Sequence, residues 1–140
     1  MTLMAVDYGT KRIGIAVTDR AEKIALPLAV MPVRSIEDGI EKIGTIVRER
    51  EVRKIIVGLP LAHDGGETDM SRQVRSFAEK LHADVHVPVT LEDERHTTQA
   101  AEAPLIEAGM SGRKRRGRVD AGAASVLLQY YLRSHPKSSE

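Results

Sequence analysis

Three acidic positions in this 140-residue chain could do chemistry together: Asp7, the adjacent pair Asp93 and Glu94, and Asp120. Each falls at the end of an expected element, two at the ends of apolar strands and one at the start of a helix. Carboxylates packed within a few ångströms repel one another, and some would protonate unless a divalent cation held them ionised. Hard oxygen ligands of this kind select Mg2+ or Mn2+, and two such ions about 4 Å apart can clamp both the attacking and the leaving oxygen of a phosphodiester. The chemistry implied is phosphodiester hydrolysis by metal-activated water.

The elements that must position these acids begin with a hairpin. Leu3 to Val6 is an apolar run ending on Asp7, Tyr8-Gly9-Thr10-Lys11 supplies turn chemistry, and Ile13, Ile15 and Val17 then alternate with Gly14, Ala16 and Thr18. Such alternation marks a strand with one buried face. Leu3, Ala5 and Asp7 share a face of the first strand, so Asp7 interrupts an apolar row where an unpaired carboxylate would be costly. Three uses of Asp7 are open at this point: a turn residue bonding to backbone N–H groups just past it, a metal ligand in a nuclease, or part of the phosphate-binding hairpin of an ATPase or sugar kinase.

Downstream, Ile24 to Val33 carries Pro27 and Pro32 and reads as a third, edge-like strand. Ser35 caps a helix whose Ile36, Ile40, Ile43 and Val47 form one face. Lys54 to Leu59 is a continuous apolar run, the pattern of a central strand covered on both faces. His63 and Asp64, in the loop after it, read best as a polar surface turn. Residues 69–83 suit a helix, and Val85, Val87, Val89 and Leu91 alternate as a strand leading into Asp93 and Glu94. Thr97 or Thr98 can open a further helix, interrupted by Pro104. Met110 to Val119 reads as a Gly- and Arg-rich loop, Asp120 to Leu132 as a buried last helix, and His135 to Glu140 as a tail that frays.

The order β-β-β-α-β-α-β-α-α implies an α/β fold, a mixed five-stranded sheet whose early strands are antiparallel and later strands parallel, flanked by helices. Residues 1–134 form one domain in this reading, followed by a flexible tail at 135–140. Ligands of such sheets collect beyond the carboxyl ends of the parallel strands, where the three acids converge if their strands are neighbours. Each acid also has a plainer use: Asp120 as a helix N-cap or first-turn acid, and Asp93 and Glu94 as members of a surface ion pair with Arg95.

Charge distribution bears on the partner. Arg113, Lys114, Arg115, Arg116 and Arg118 place five cations in one short stretch; taking them from the 21 Lys and Arg leaves 16 against 20 acids, a mildly acidic body with a basic arm suited to a polyanion. Three Tyr, one Phe and no Trp leave few platforms for stacking splayed bases, so the nucleic-acid backbone would be the main handle. With no Cys, thiolate zinc sites and Cys nucleophiles are excluded. No apolar run approaches the ~20 residues that span a bilayer, and a soluble cytoplasmic protein is expected.

Four blocks now carry a family resemblance: VDYGTKRIGIAV at Val6 to Val17, IIVGLP at Ile55 to Pro60 with DGGET following, DER and then TT at Asp93 to Thr98, and VDAGAASVLLQYYL at Val119 to Leu132. In this order and at these spacings the chain resembles, over nearly its whole length, the YqgF/RuvX family of Holliday-junction-resolvase-like proteins. That family is also described as candidate pre-16S ribosomal RNA nucleases with a ribonuclease H-like fold. The resemblance implies a catalytic and metal-binding trio of Asp7, Glu94 and Asp120, with Asp93 as the alternate second ligand. It implies a two-ion Mg2+ or Mn2+ site that Asp7 would bridge. Arg95 and Thr98, in the same block, are expected to orient the acids or touch substrate, and Lys11 and Arg12 on the first turn to meet a phosphate; the 113–118 cations, by their charge, would position the nucleic-acid backbone.

The leading reading is a metal-dependent nuclease for structured RNA or branched DNA, acting as a monomer or homodimer. A non-catalytic nucleic-acid-binding factor of ribosome assembly or transcription is the alternative. The ATPase reading suffers from length, since actin-like kinases close two such domains over a nucleotide.

Overall fold

The computed structural model describes residues 2–95 and 112–135, the side chains of 112–121 excepted. Five strands form one sheet: β1 (Thr2–Tyr8), β2 (Arg12–Thr18), β3 (Ala25–Pro32), β4 (Val52–Leu59) and β5 (Val89–Asp93), in the spatial order β3-β2-β1-β4-β5. β1 to β3 form an antiparallel meander, while β4 runs parallel to β1 and β5 parallel to β4. The mixed sheet read from the sequence is the one observed, with the proline-bearing β3 at an edge.

Period-two alternation divides the core between two sheet faces. Met4, Val6, Ile13, Ile15, Ile55 and Val57 pack beneath helices α1 (Ile36–Arg50) and α2 (Asp69–Val85), whose Ile40, Ile43, Val47, Val74, Phe77 and Leu81 complete that cluster. Leu3, Ala5, Ala16 and Ile56 face the other way, against Ala124, Leu127, Leu128 and Tyr131 of helix α3 (Gly112–Ser134). Both clusters hold side chains fully withdrawn from water, at about 25 cal/mol per Å2 of apolar surface removed.

Local signals set the helix ends. Ser35 accepts from the Asp38 N–H at 3.1 Å, and Thr68 forms a reciprocal capping box with Ser71. α1 and α2 both stop on residues in the left-handed region, Glu51 (φ 54) and His86 (φ 59). The second stop corrects one expectation: Val85 ends a helix, and only Val89 onward is strand. Pro88 lacks an N–H for the ladder, yet its carbonyl accepts from Ile55 at 2.9 Å, so pairing with β4 starts there.

A second correction concerns the basic stretch. Residues 112–119 are helical, forming the first turns of α3 instead of a loop. Arg and Lys are good helix formers, and their propensity outweighs the interior Gly117. Asp120 therefore lies inside α3, which leaves no acid in its first turn and removes the N-cap reading. The helix expected around Pro104 and the tail from 136 onward lie outside the described residues. His135 stacks on Tyr131 with ring centroids 4.1 Å apart and donates its backbone N–H to the Tyr131 carbonyl.

Candidate active site

β1, β4 and β5 end together at one edge of the sheet. Val6 is in register with Val57 and Gly58 with Glu92, so Asp7, Gly58 and Glu92 form one row across three adjacent strands, and Glu94, just past the end of β5, reaches back over Gly58. The Glu94 N–H donates to the Leu59 carbonyl at 3.1 Å, extending the ladder one step past β5. Alternation then decides which side chains meet. Asp7 follows Leu3 and Ala5, Gly58 follows Ile56, and Glu94 follows Thr90 and Glu92, all on the face that α3 covers.

Glu94 and Asp7 are joined by a side-chain hydrogen bond, and both are half-buried. Their strands are not neighbours, since β4 lies between them and two strand spacings amount to roughly 9.5 Å. The Glu94 side chain crosses that gap directly over Gly58. A Cβ at position 58 would stand only 2.8 Å from both Cγ and Cδ of Glu94 and would overlap its carboxylate. A glycine within a run of β-branched residues signals such a close approach.

Electrostatics mark this contact as incomplete. Desolvation raises the Glu94 carboxyl above the usual carboxylate range, the nearby Asp93 charge pushes the same way, and the Asp7 hydrogen bond opposes them. Two carboxyls can share a hydrogen bond only while one holds a proton; a cation between them is the other arrangement that relieves their repulsion. The donor set, hard carboxylate oxygens at the carboxyl ends of parallel strands, fits Mg2+ or Mn2+.

Asp93 points to the opposite face. Its Oδ1 accepts the Arg95 backbone N–H at 2.8 Å, and its Oδ2 accepts Arg95 Nε at 2.8 Å and Nη2 at 2.6 Å. The ion pair expected from the plainer reading thus exists, but it takes Asp93 and leaves Glu94 facing Asp7.

The third acid is located by helix geometry. Position 120 continues the Ala124, Leu127, Leu128 and Tyr131 stripe one turn toward the N-terminus, on the side of α3 that faces the sheet. The Tyr131 hydroxyl accepts from Lys54 Nζ at 2.6 Å, beside Leu3 at the start of β1. From there, eleven helical residues climb roughly 16 Å to position 120, while four strand residues carry β1 about 13 Å from Leu3 to Asp7. The Asp120 backbone therefore lies well away from the Leu3 end of β1, in the N-terminal half of α3.

Lys11 and Arg12 are exposed at the β1–β2 turn, at the same sheet end as Asp7. Arg113, Lys114, Arg115, Arg116 and Arg118 occupy the α3 turns that precede position 120. Thr98 lies outside the described residues. Sequence reasoning missed the part played by Gly58.

The RuvX family model, described as Holliday junction resolvase, matches residues 1–134. A protein of Anaeromyxobacter sp. (strain Fw109-5) is 46% identical over 132 residues, covering 94% of this chain and 96% of that one; one of Maridesulfovibrio salexigens is 39% identical at 94% and 98% coverage. Both are named as candidate pre-16S rRNA nucleases. Among solved structures, Thermus thermophilus RuvC in complex with a Holliday junction substrate superposes with a TM-score of 0.61 at 15% identity, covering 96% of each chain, which is a likeness of fold.

Two predictions come from the acid pair. Gly58→Ala is expected to leave stability within about 1 kcal/mol of wild type while displacing Glu94 and lowering nuclease turnover by about 100-fold; circular-dichroism melting beside a cleavage assay measures both. An acid whose pKa is higher folded than unfolded supports the fold only while protonated, so the Glu94 contribution declines as pH rises through the raised value. Glu94→Gln, whose amide can donate to Asp7, is therefore expected to melt a few degrees (~1 kcal/mol) higher than wild type in mildly alkaline, divalent-free buffer. Equal or lower melting would contradict the strained pair. By its family model and its relatives alike, the chain belongs to the RuvX family, described as Holliday junction resolvase.

Proposed function

We propose that this protein is a Mg2+- or Mn2+-dependent nuclease that hydrolyses phosphodiester bonds in structured nucleic acid, with Asp7, Glu94 and Asp120 holding the cations. The observation that carries the reading is the Glu94–Asp7 contact across Gly58, two acids brought together where a proton or a cation is required. Divalent ions at this place would supply a nucleophilic water and charge stabilisation at the leaving oxygen. The chain itself contributes the rest. β1 and the end of β5 bring two acids together, α3 would carry Asp120 toward them, and Lys11, Arg12 and the cationic turns of α3 would meet the phosphate backbone.

Precursor 16S ribosomal RNA is the favoured substrate. The relatives that match over 94% of the chain carry that name, whereas the likeness to the junction-bound resolvase is one of fold. A four-way DNA junction is the second candidate, supported by the family description, and would call for a symmetric dimer with two sites. No described helix is long and apolar enough to cross a membrane, which agrees with a cytoplasmic setting.

Parallel digestion of a precursor-type RNA and a four-way DNA junction, each with Mg2+ and with Mn2+, tests the reading. Cleavage is expected with wild type and background signal with Asp7→Asn at a melting temperature no lower than that of wild type. Retained cutting by that variant would sink the assignment, and metal-independent binding without any cleavage would point to a non-catalytic factor. Neutralising Arg113, Lys114, Arg115, Arg116 and Arg118 is expected to flatten the slope of log affinity against log salt by about 0.7–0.9 for each phosphate contact removed. An unchanged slope would exclude these turns as the backbone handle.

A further inference from the structure

Arg95 follows Glu94 immediately, and its guanidinium is bound to the protein itself. Besides two guanidinium hydrogen bonds to Asp93 Oδ2, with the Arg95 backbone N–H on Oδ1, its Nη1 donates to the His63 carbonyl at 3.2 Å. His63 belongs to the β4–α2 loop, where Gly65 adopts φ +87 and brings its backbone against the guanidinium; a Cβ there would stand 3.3 Å from Nη1. The residues on either side of Glu94 are thus tied to each other on one face of β5 and to a neighbouring loop. Glu94 is left to project from the other face.

The pair is only partly sheltered, with side-chain exposures of 36% for Arg95 and 23% for Asp93. Ion pairs in such surroundings contribute little to stability. Its consequence is geometric: a planar guanidinium that grips Oδ2 by two nitrogens, with the backbone N–H on Oδ1, fixes direction more strictly than a point charge does.

We propose that Arg95 is a positioning residue that aims Glu94. By anchoring Asp93 and the β4–α2 loop, it orients the intervening residue so that the Glu94 carboxyl lies over Gly58 toward Asp7, and it occupies the adjacent carboxylate that would otherwise compete for a cation. This rests on the metal-dependent reading of the acid pair and assigns Arg95 a partner within the protein instead of a substrate phosphate.

Wild type, Arg95→Ala, Asp93→Asn and the double variant separate the possibilities through three measurements: Mn2+ binding by titration calorimetry, affinity for an RNA hairpin in EDTA, and thermal melting. Each single variant is expected to weaken Mn2+ binding by about 10-fold or more. Their RNA affinity in EDTA should stay within about twofold of wild type, and the double variant should bind Mn2+ no worse than either single one, since the two act as a unit. Loss of RNA affinity at unchanged Mn2+ binding would overturn the proposal in favour of a phosphate contact. No change in either quantity would overturn it as well. A loss of Mn2+ binding in Asp93→Asn far beyond that in Arg95→Ala would make Asp93 itself a ligand and overturn it too. Wild-type protein that binds no Mn2+ would remove the metal-dependent reading together with this one, so the two failures are distinguishable.

Discussion

The interaction on which the site depends is the meeting of two carboxyls, Asp7 and Glu94, across a strand that contributes no side chain. β1 and β5 are separated by β4, and a residue with a Cβ at position 58 would keep the acids apart. Bringing them together works against the fold: burial favours the neutral form of Glu94, and the Asp93 charge adds to the cost. A pair of acids held in contact by a rigid sheet is a local instability that a proton or a cation relieves. Functional sites commonly carry strain of this kind, offset by a core elsewhere that is fully packed. Here the offset comes from two apolar clusters, one on each face of the sheet.

The sheet's period of two has a further consequence. Asp93 and Glu94 are adjacent in sequence and chemically alike, yet a strand sends them to opposite faces. One meets Arg95 and a loop carbonyl, while the other meets an acid on β1. Shifting the β4–β5 register by one residue would exchange their places and put the shorter side chain toward Asp7. The pairing of Leu59 with Asp93, secured by the Pro88 carbonyl at the far end of the strand, is thus as much a part of the site as the acids are.

Much of this was legible in the residues. The hairpin alternation located Asp7 on an apolar row, the Ile55–Val57 run read as a two-sided central strand, and Ser35 marked a helix start where one exists. What escaped had physical reasons. The Val85 to Leu91 alternation looked like strand because the helix stop at His86 is a left-handed conformation taken by a non-glycine residue, which carries no composition signal. The 113–118 cations looked like a loop because two glycines and high charge density suggested one, whereas Arg and Lys propensity carries the helix through. Gly58 was visible as a letter but not as a passage, because its use depends on which strands flank β4. That is a property of topology, and no local pattern encodes it. The choice of Glu94 over Asp93 rests on family resemblance; what the structure adds is that the two differ in partner, Asp93 bonded to Arg95 and Glu94 to Asp7.

Helicity of the basic stretch alters how the charges relate to the acids. A loop would let five cations wander, but on α3 they occupy turns whose spacing from position 120 is set by the helix, with position 116 only about 6 Å along the axis from it. The same helix carries the Ala124 to Tyr131 stripe that seats it on β1 and β2, so core packing fixes the distance between the cationic turns and Asp7. Under the proposed nuclease reading, a phosphate backbone would meet attraction at the N-terminal turns of α3 and repulsion at the acids. Attraction alone would hold a polyanion without bringing a phosphodiester onto the carboxyls. Closing that last interval requires neutralising the acids, and this is the same requirement that the Glu94–Asp7 contact imposes on the protein by itself.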